Sequence, residues 1–297
     1  MQKTIKKLLI TGGSGFIGKN LVDRLAKKYE ILCVVKDPSY NKSGIKIIHG
    51  DITDANFIRC AMDKIDVVVH LAAIIDTSDE NIVKINVDYT RLLVEVAKAS
   101  KVRKFIFIST ENVLYDFKDA YSSTKRIAEK IVKESFKNYL ILRPTVVYGR
   151  YEKRYVKKLV DISKKYKVLP VPGDGKKLFQ PVYVDDVVKC IENGIKYDIR
   201  GEYIVAGPSK ISYDYFTKMV LKLAGIKCVV FHIPTLMLKV ANYWNTKVFK
   251  IGIPGFQVKS LEIDKVYDIS KSTKVLKYNP TPLNVGMKKT FKFLKSL

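Results

Sequence analysis

The stretch Thr11-Gly-Gly-Ser-Gly-Phe-Ile-Gly18 governs the reading of the whole chain. Ile5 to Ile10 before it reads as a strand, Thr11 to Gly15 as a tight loop, and Phe16 onward as a helix. Gly12 permits the sharp turn, Gly15 lets backbone approach a pyrophosphate, and Gly18 lets the helix pack close to the strand. The start of that helix, at Phe16, Ile17 and Gly18, then presents unpaired N–H groups to an anion. A glycine triplet alone would be weak; flanked by a strand and a helix it points to a dinucleotide-binding turn. About twenty residues on, where such folds read the adenosine ribose, stand Lys36 and Asp37. Asp37 suits a free ribose 2′-hydroxyl and Lys36 a 2′-phosphate, so the cofactor is NAD(P), with a lean toward NADP.

Outward from that loop, apolar runs alternate with helical patterns. Strands are expected at Ile5–Ile10, Ile31–Val35, Ile45–Ile48, Val67–Leu71, Phe105–Ser109 and Leu140–Arg143, and helices near Gly15–Lys28, Asn81–Ser100 and Asp119–Phe136. Continuous apolar strands separated by amphipathic helices imply a parallel sheet covered on both faces. The expected fold is α/β, a Rossmann doubly wound parallel sheet with a smaller C-terminal α/β lobe. Beyond about Tyr166 the rhythm breaks into a Pro- and Gly-rich loop and mixed short elements. The expected domains are therefore 1–168, binding the dinucleotide, and 169–297, binding substrate, with some exchange of chain between them.

A chain of 297 residues that is 47% hydrophobic has enough apolar content for one large core with an appended lobe. The expected strand at Ile5 leaves no room for a secretory leader. The longest uncharged apolar stretch, Cys228–Leu238, is too short for a bilayer core of about 30 Å. The expectation is a soluble, cytoplasmic protein with no membrane span. Cys33, Cys60, Cys190 and Cys228 have no paired spacing and read as buried free thiols, with no metal site. The net charge of +25 comes from lysines spread along the chain, without a block or interleaved aromatics, which argues against nucleic acid. Its plainest reading is generic surface charge; beyond that it favours an anionic small molecule.

Further motifs join the glycine loop: GDITD at Gly50–Asp54, HLAA at His70–Ala73, YSSTK at Tyr121–Lys125, LRPTVVYG at Leu142–Gly149, VPGDGKK at Val171–Lys177 and VYVDD at Val182–Asp186. With them the chain resembles the extended short-chain dehydrogenase/reductases, in the branch of NAD-dependent nucleotide-sugar epimerases and dehydratases. The resemblance covers nearly the whole chain. It implies that Asp51 and Ile52 lie along the adenine, and that Leu71, Ala72 and Ala73 meet the cofactor's ribose and pyrophosphate. It further implies that Asn86 supports the site and that Pro144 approaches the nicotinamide.

Tyr121 and Lys125, four apart on an expected helix, project from one face. A phenol of pKa near 10 is a poor base at neutral pH, and a neighbouring ammonium stabilises its phenolate. YxxxK spacing also occurs at Tyr243/Lys247 and Tyr267/Lys271, but only the first pair follows a strand ending in Ser109 and Thr110. The other two are expected at the surface. The family pattern places Thr110, with Ser109 as the alternative, where a hydroxyl holds the substrate oxygen. Glu111 matches an acid of the dehydratases, but Asn112 stands where their second acid belongs. The loop Asn112–Ala120 is about half as long as in many members. Lys176, Lys177 and Gln180 flank the segment that in the family meets the nucleotide diphosphate, and Arg150 and Arg154 lie just past the sixth strand; each reads first as solvated polar surface and otherwise as a ligand contact.

The expected activity is hydride transfer on a nucleotide-activated sugar, by a 4-epimerase or 4-keto reductase. The alternatives are reduction of a non-sugar alcohol or ketone, and a non-catalytic cofactor-binding subunit. Pro234–Phe249 reads as lobe core, as a cap over the site, or as a homodimer contact.

Overall fold

The computed structural model describes residues 5–50, 52–116, 119–237 and 262–296. From the N-terminus the elements are β1 (Lys7–Thr11), α1 (Phe16–Leu25), β2 (Glu30–Val35), β3 (Lys46–His49), α2 (Ala55–Ala61) and β4 (Val67–His70). A π-helical turn, Lys84–Asp88, runs into α3 (Tyr89–Ala99); then come β5 (Lys104–Ile108), a 3-10 turn (Glu111–Leu114), α4 (Ala120–Ser135) and β6 (Tyr139–Pro144). Next are β7 (Val147–Tyr148), α5 (Val156–Tyr166), β8 (Val168–Pro172), β9 (Leu178–Phe179), β10 (Val182–Tyr183), α6 (Val184–Lys196) and β11 (Gly201–Val205). The remainder holds β12 (Ile211–Ser212), α7 (Tyr213–Ala224), β13 (Val229–Ile233) and the helices Ser270–Leu276 and Leu283–Leu294.

These elements form two compact units. The first holds Met1–Pro144, Val184–Val205 and Ile269–Asn279, and the second Thr145–Tyr183, Ala206–Asp268 and Pro280–Leu297. The expected break at 168 is therefore misplaced, because the chain leaves the first unit as soon as β6 ends. It returns to supply α6 and β11, whose apolar residues complete the sheet and one of its covering layers. The Pro- and Gly-rich loop lies inside the second unit, so the change of rhythm there is not the boundary.

The first unit is a sheet of order β11-β6-β5-β4-β1-β2-β3 in which every adjacent pair is parallel. Strand order reverses between β1 and β4, which makes their carboxyl ends the switch point where such sheets bind ligands. Leu8, Leu9 and Ile10, Val67 to Val69, and Leu140 to Leu142 have no solvent exposure. Burial on both faces explains why these strands read as unbroken apolar runs. At about 1.5–3 kcal/mol for each fully buried aliphatic side chain, this layer outweighs any local propensity in the sheet. On one face Leu93, Val94 and Ala97 of α3 and Ala128 and Val132 of α4 pack over Leu9, Val68 and Phe105. On the other, α1 meets α6, and the Glu192 carboxylate of α6 accepts from Arg24 Nε at 2.6 Å and also holds Lys28.

The second unit carries three two-stranded pieces, β7 with β10, β9 with β12 and β8 with β13. Phe179 of β9 is buried, stacked on Tyr213 at 4.4 Å between ring centroids. Most of Pro234–Phe249 falls outside the described residues, as does the pair Tyr243/Lys247. No described helix is long and apolar enough to cross a membrane.

The four cysteines are free, but only Cys33 and Cys190 are buried. Cys60 faces solvent on α2, because that helix turns Ile58 and Ala61 inward instead. Cys60 and the half-exposed Cys228 thus depart from the expected buried thiols.

The glycine loop sets the tightest spacing in the first unit. A Cβ on Gly18 would overlap the Gly12 carbonyl oxygen and lie 2.6 Å from Gly13 Cα. Gly18→Ala should therefore lower the free energy of unfolding by about 2 kcal/mol or more, as overpacking does in a closed site. Urea titration measures this. An unchanged midpoint would mean that α1 does not press on the loop.

Candidate active site

Gly12 turns the chain at φ +72°, and the Gly15 N–H closes the loop onto the Gly12 carbonyl at 3.0 Å. Gly15 is the N-cap of α1 and provides no side-chain acceptor. The first turn of α1, at Phe16, Ile17 and Gly18, thus keeps amide donors for an anion, the donor set that a pyrophosphate requires. A Cβ on Gly12 would come within 2.6 Å of the Ala72 nitrogen, so the loop lies directly on the chain leaving β4. Gly13, which the triplet pattern overlooks, faces Cys33 Sγ across β2 with no room for a side chain.

Leu71 continues from β4 by donating its N–H to the Thr11 carbonyl at 3.1 Å, and Ala72 and Ala73 follow, half-buried. Beneath them runs a line of buried polar side chains. The Thr90 hydroxyl donates to the Asn86 carbonyl at 2.9 Å, so its remaining capacity is to accept from His70 Nε2–H at 2.9 Å. His70 Nδ1 is then the acceptor for the Thr11 hydroxyl, at 2.7 Å. Burial, reinforced by the Lys125 charge, holds the His70 pKa well below its usual range and keeps the ring neutral. Asn86 pins Ile74 through two bonds of 2.8 Å and donates to Thr124 Oγ1 at 3.1 Å. Thr124 in turn donates to the carbonyls of Ala120 and Tyr121. Asn86 thus supports the first turn of α4, through a chain that begins at the glycine loop.

Asp119 caps α4 by accepting from the Ser122 N–H at 2.8 Å, which places Tyr121 and Lys125 in its first two turns. Tyr121 is half-buried, and Lys125 is 2% exposed. Lys125 Nζ donates to the Ile108 carbonyl at 2.6 Å and lies 3.9 Å from the centroid of the Phe107 ring. Burial pulls its pKa down to about 7, against the opposing pull of Glu129. The carbonyl and the ring face both favour the ammonium form.

Directly after Ile108, Ser109 and Thr110 follow at the carboxyl end of β5. The Thr110 hydroxyl donates to the buried Glu111 carboxylate at 3.3 Å and accepts from the Asn112 N–H. Ser109 Oγ is buried without a hydrogen-bond partner, which suits an oxygen brought by a ligand. The short loop that follows is a 3-10 turn fastened to α4 by Arg126, which donates to the Tyr115 carbonyl at 2.7 Å and the Val113 carbonyl at 3.3 Å. Arg126 was not among the residues singled out by sequence; its partners lie across a loop with no periodic signal.

Lys36 and Asp37 follow β2 and are exposed; the Asp37 carboxylate accepts from the Ser39 N–H at 2.9 Å and its hydroxyl at 2.7 Å. Asp51 lies outside the described residues. Ile52 packs against the core, and Pro144 ends β6 in buried register with Val205. The glycine loop, Leu71–Ala73, Ser109–Thr110 and Pro144 all leave the sheet at its carboxyl edge, where α4 brings Tyr121 and Lys125.

In the second unit Gln180 is committed: it donates to the Gly207 carbonyl at 2.7 Å and accepts from the Tyr267 N–H at 2.9 Å. Arg150 lies over the rings of Tyr151 and Phe293, while Lys176 and Arg154 are exposed and Lys177 is half-exposed. Tyr267 precedes the helix that carries Lys271, so that pair shares no helical face. Among the described residues no three His, Cys, Asp or Glu side chains cluster as metal ligands.

The dry lysine carries a test of its own. A group that binds its proton more weakly when folded costs stability below its folded pKa, and the cost fades as pH rises toward its unfolded value. For Lys125 that window runs from about 7 upward. Relative to wild type, Lys125→Met should therefore gain more thermal stability at pH 6.5 than at pH 9.5. An equal difference at both pH values would contradict the burial of an ionisable amine.

A family model described as the NAD dependent epimerase/dehydratase family matches residues 8–197. The dTDP-D-glucose 4,6-dehydratase of Dictyostelium discoideum is 27% identical over 276 residues, covering 74% of this chain and only 62% of that relative's length. A 3 beta-hydroxysteroid dehydrogenase/Delta 5-->4-isomerase of Mycobacterium tuberculosis is 24% identical over 318 residues, covering 92% of this chain and 86% of that one. Among solved structures, UDP-glucuronic acid 4-epimerase from Bacillus cereus, in complex with UDP-glucuronic acid and NAD, is 25% identical with a TM-score of 0.79. It covers 98% of this chain and 99% of its own. The glycine loop, the parallel sheet and the match over 8–197 agree: this chain belongs to the NAD-dependent epimerase/dehydratase family of enzymes.

Proposed function

We propose that this chain moves hydride on a nucleotide-activated sugar, as a 4-epimerase or 4-keto reductase, with Tyr121 as acid and base. The observation that carries the proposal is the convergence on one sheet edge of an uncapped glycine loop, an unpartnered Ser109 hydroxyl, Tyr121 and a dry Lys125. A bound nicotinamide dinucleotide supplies the hydride acceptor and donor. Tyr121 takes the proton from the sugar hydroxyl in oxidation and returns it to the carbonyl oxygen in reduction. The charge of Lys125 favours the phenolate, and its ammonium would hold the nicotinamide ribose. Thr110 or Ser109 holds the reacting oxygen, Ser109 having the free hydroxyl and Thr110 the link to Glu111.

The first unit would hold the cofactor with Gly12, Gly15, Phe16, Ile17 and Gly18 at the pyrophosphate, Leu71, Ala72 and Ala73 beside it, and Pro144 near the nicotinamide. Asp37, fixed as an acceptor by Ser39, suits a ribose 2′-hydroxyl and would repel a 2′-phosphate, which turns our reading from NADP toward NAD. Asp37→Asn should narrow the NAD:NADP affinity ratio, measured by titrating each dinucleotide.

Dehydration is disfavoured although the Dictyostelium relative is a dehydratase, because Asn112 supplies no second acid beside Glu111. A second reading, oxidation or reduction of an apolar alcohol or ketone, is favoured by the second unit. There Gln180 is committed internally and Phe179 is buried against Tyr213, so neither offers a phosphate contact. One relative, aligned over 92% of this chain, is a hydroxysteroid dehydrogenase/isomerase.

Mass spectrometry of ligand released from the denatured protein, followed by turnover assays with UDP-sugars, dTDP-sugars and hydroxysteroids, separates the readings. Tyr121→Phe should lower kcat for the substrate so found by about 10²–10⁴-fold with the fold intact. Full turnover in that variant would overturn the acid/base assignment.

A further inference from the structure

We infer that Glu129 is a positioning residue of this site: its buried carboxylate, clamped by Arg143, supplies the counter-charge that keeps Lys125 an ammonium and fixes α4 against β6. Glu129 stands four residues after Lys125, one helical turn along the same face of α4. It is 3% exposed. Its Oε1 accepts from Arg143 Nε at 2.9 Å and its Oε2 from the second guanidinium nitrogen at 2.5 Å, a two-pronged grip from the residue before Pro144. The same guanidinium holds Glu202 of β11, and Glu202 holds Lys133 of α4 at 3.1 Å.

Five charges therefore alternate in sign from α4 through β6 to β11: Lys125, Glu129, Arg143, Glu202 and Lys133. Lys125 is the dry end of that series. Among the described residues, the other groups placed against it are uncharged: β4 contributes neutral His70, and β5 the Ile108 carbonyl and the Phe107 ring. Glu111, the buried carboxylate after β5, is bonded to Thr110. Burial drives Lys125 toward the neutral amine, and Glu129 is the group that opposes it. A neutral amine would favour the Tyr121 phenolate less, which is how a residue with no part in the chemistry would set its pH range.

This inference takes its functional meaning from the Tyr121–Lys125 reading, but its test needs neither substrate nor cofactor. Full-length protein labelled with 13C at the lysine Cε positions is titrated by NMR, with Lys125→Met identifying the resonance. In wild type that resonance should titrate near 7. In Glu129→Gln the midpoint should fall by about one pH unit, the effect of removing a unit charge one turn away at protein dielectric. Glu129→Asp should keep the wild-type midpoint even if it lowers Tm. Glu202→Gln should move the midpoint less than half as far as Glu129→Gln.

Should Glu129→Gln not fold, the double variant Glu129→Gln/Arg143→Gln, which leaves no unpaired buried charge, should give the same direction. An unchanged midpoint in whichever of the two folds would overturn the inference, as would an equal fall in Glu202→Gln. Neither result would touch the hydride chemistry, which the Tyr121→Phe turnover assay tests separately.

Discussion

The first unit rests on backbone approaching backbone where β1 ends. Gly18 seats α1 against Gly12 and Gly13, and Gly12 sits against Ala72, with no space for a methyl group at either contact. Close seating aims the start of α1 along the carboxyl edge of the sheet. It also sets the chain after β4 beside the loop, where Thr11 bonds both His70 and the Ala72 N–H. From there buried side chains pass the constraint through Thr90 and Asn86 to Thr124 and the first turn of α4. The glycine loop and the Tyr-Lys pair are thereby held in one frame, although 110 positions separate Thr11 from Tyr121.

Electrostatics in that frame depend on what is dry. Lys125 is buried more completely than an ammonium tolerates without compensation, and a carbonyl, a ring face and a carboxylate one turn away provide it. Solvent would screen the same charges to little effect at the surface. Inside the sheet edge they bear directly on the protonation state of Lys125.

Much of this was legible in the sequence because it is periodic or local. Apolar runs located the first six strands to within two residues; for the inner strands burial on both faces removes polar alternation, whereas the edge strand β3 is only half-buried and is marked by its isoleucines. The glycine turn and the placing of Tyr121 and Lys125 on one helix were readable because each is set by fixed offsets along one turn or one helix. The boundary after Pro144 was not readable, for the chain crosses there without a linker, and the later α6 and β11 look like lobe elements until β11 is seen paired with β6. The π-helical turn at Lys84–Asp88 leaves no side-chain signature. Glu129 and Arg143 sit fourteen positions apart on a helix and a strand, where no spacing rule reaches. Gln180 fitted neither reading open to it in sequence, solvated side chain or ligand contact: it is buried, and two backbone groups claim its amide.

A crystal structure of the full chain soaked with NAD would show whether the glycine loop and the Tyr121–Lys125 pair meet one dinucleotide. The pyrophosphate is expected on the amides of Phe16, Ile17 and Gly18, and the nicotinamide ribose within hydrogen-bond reach of Tyr121 Oη and Lys125 Nζ. A dinucleotide bound away from the glycine loop, or a ribose out of reach of both side chains, would contradict that placement.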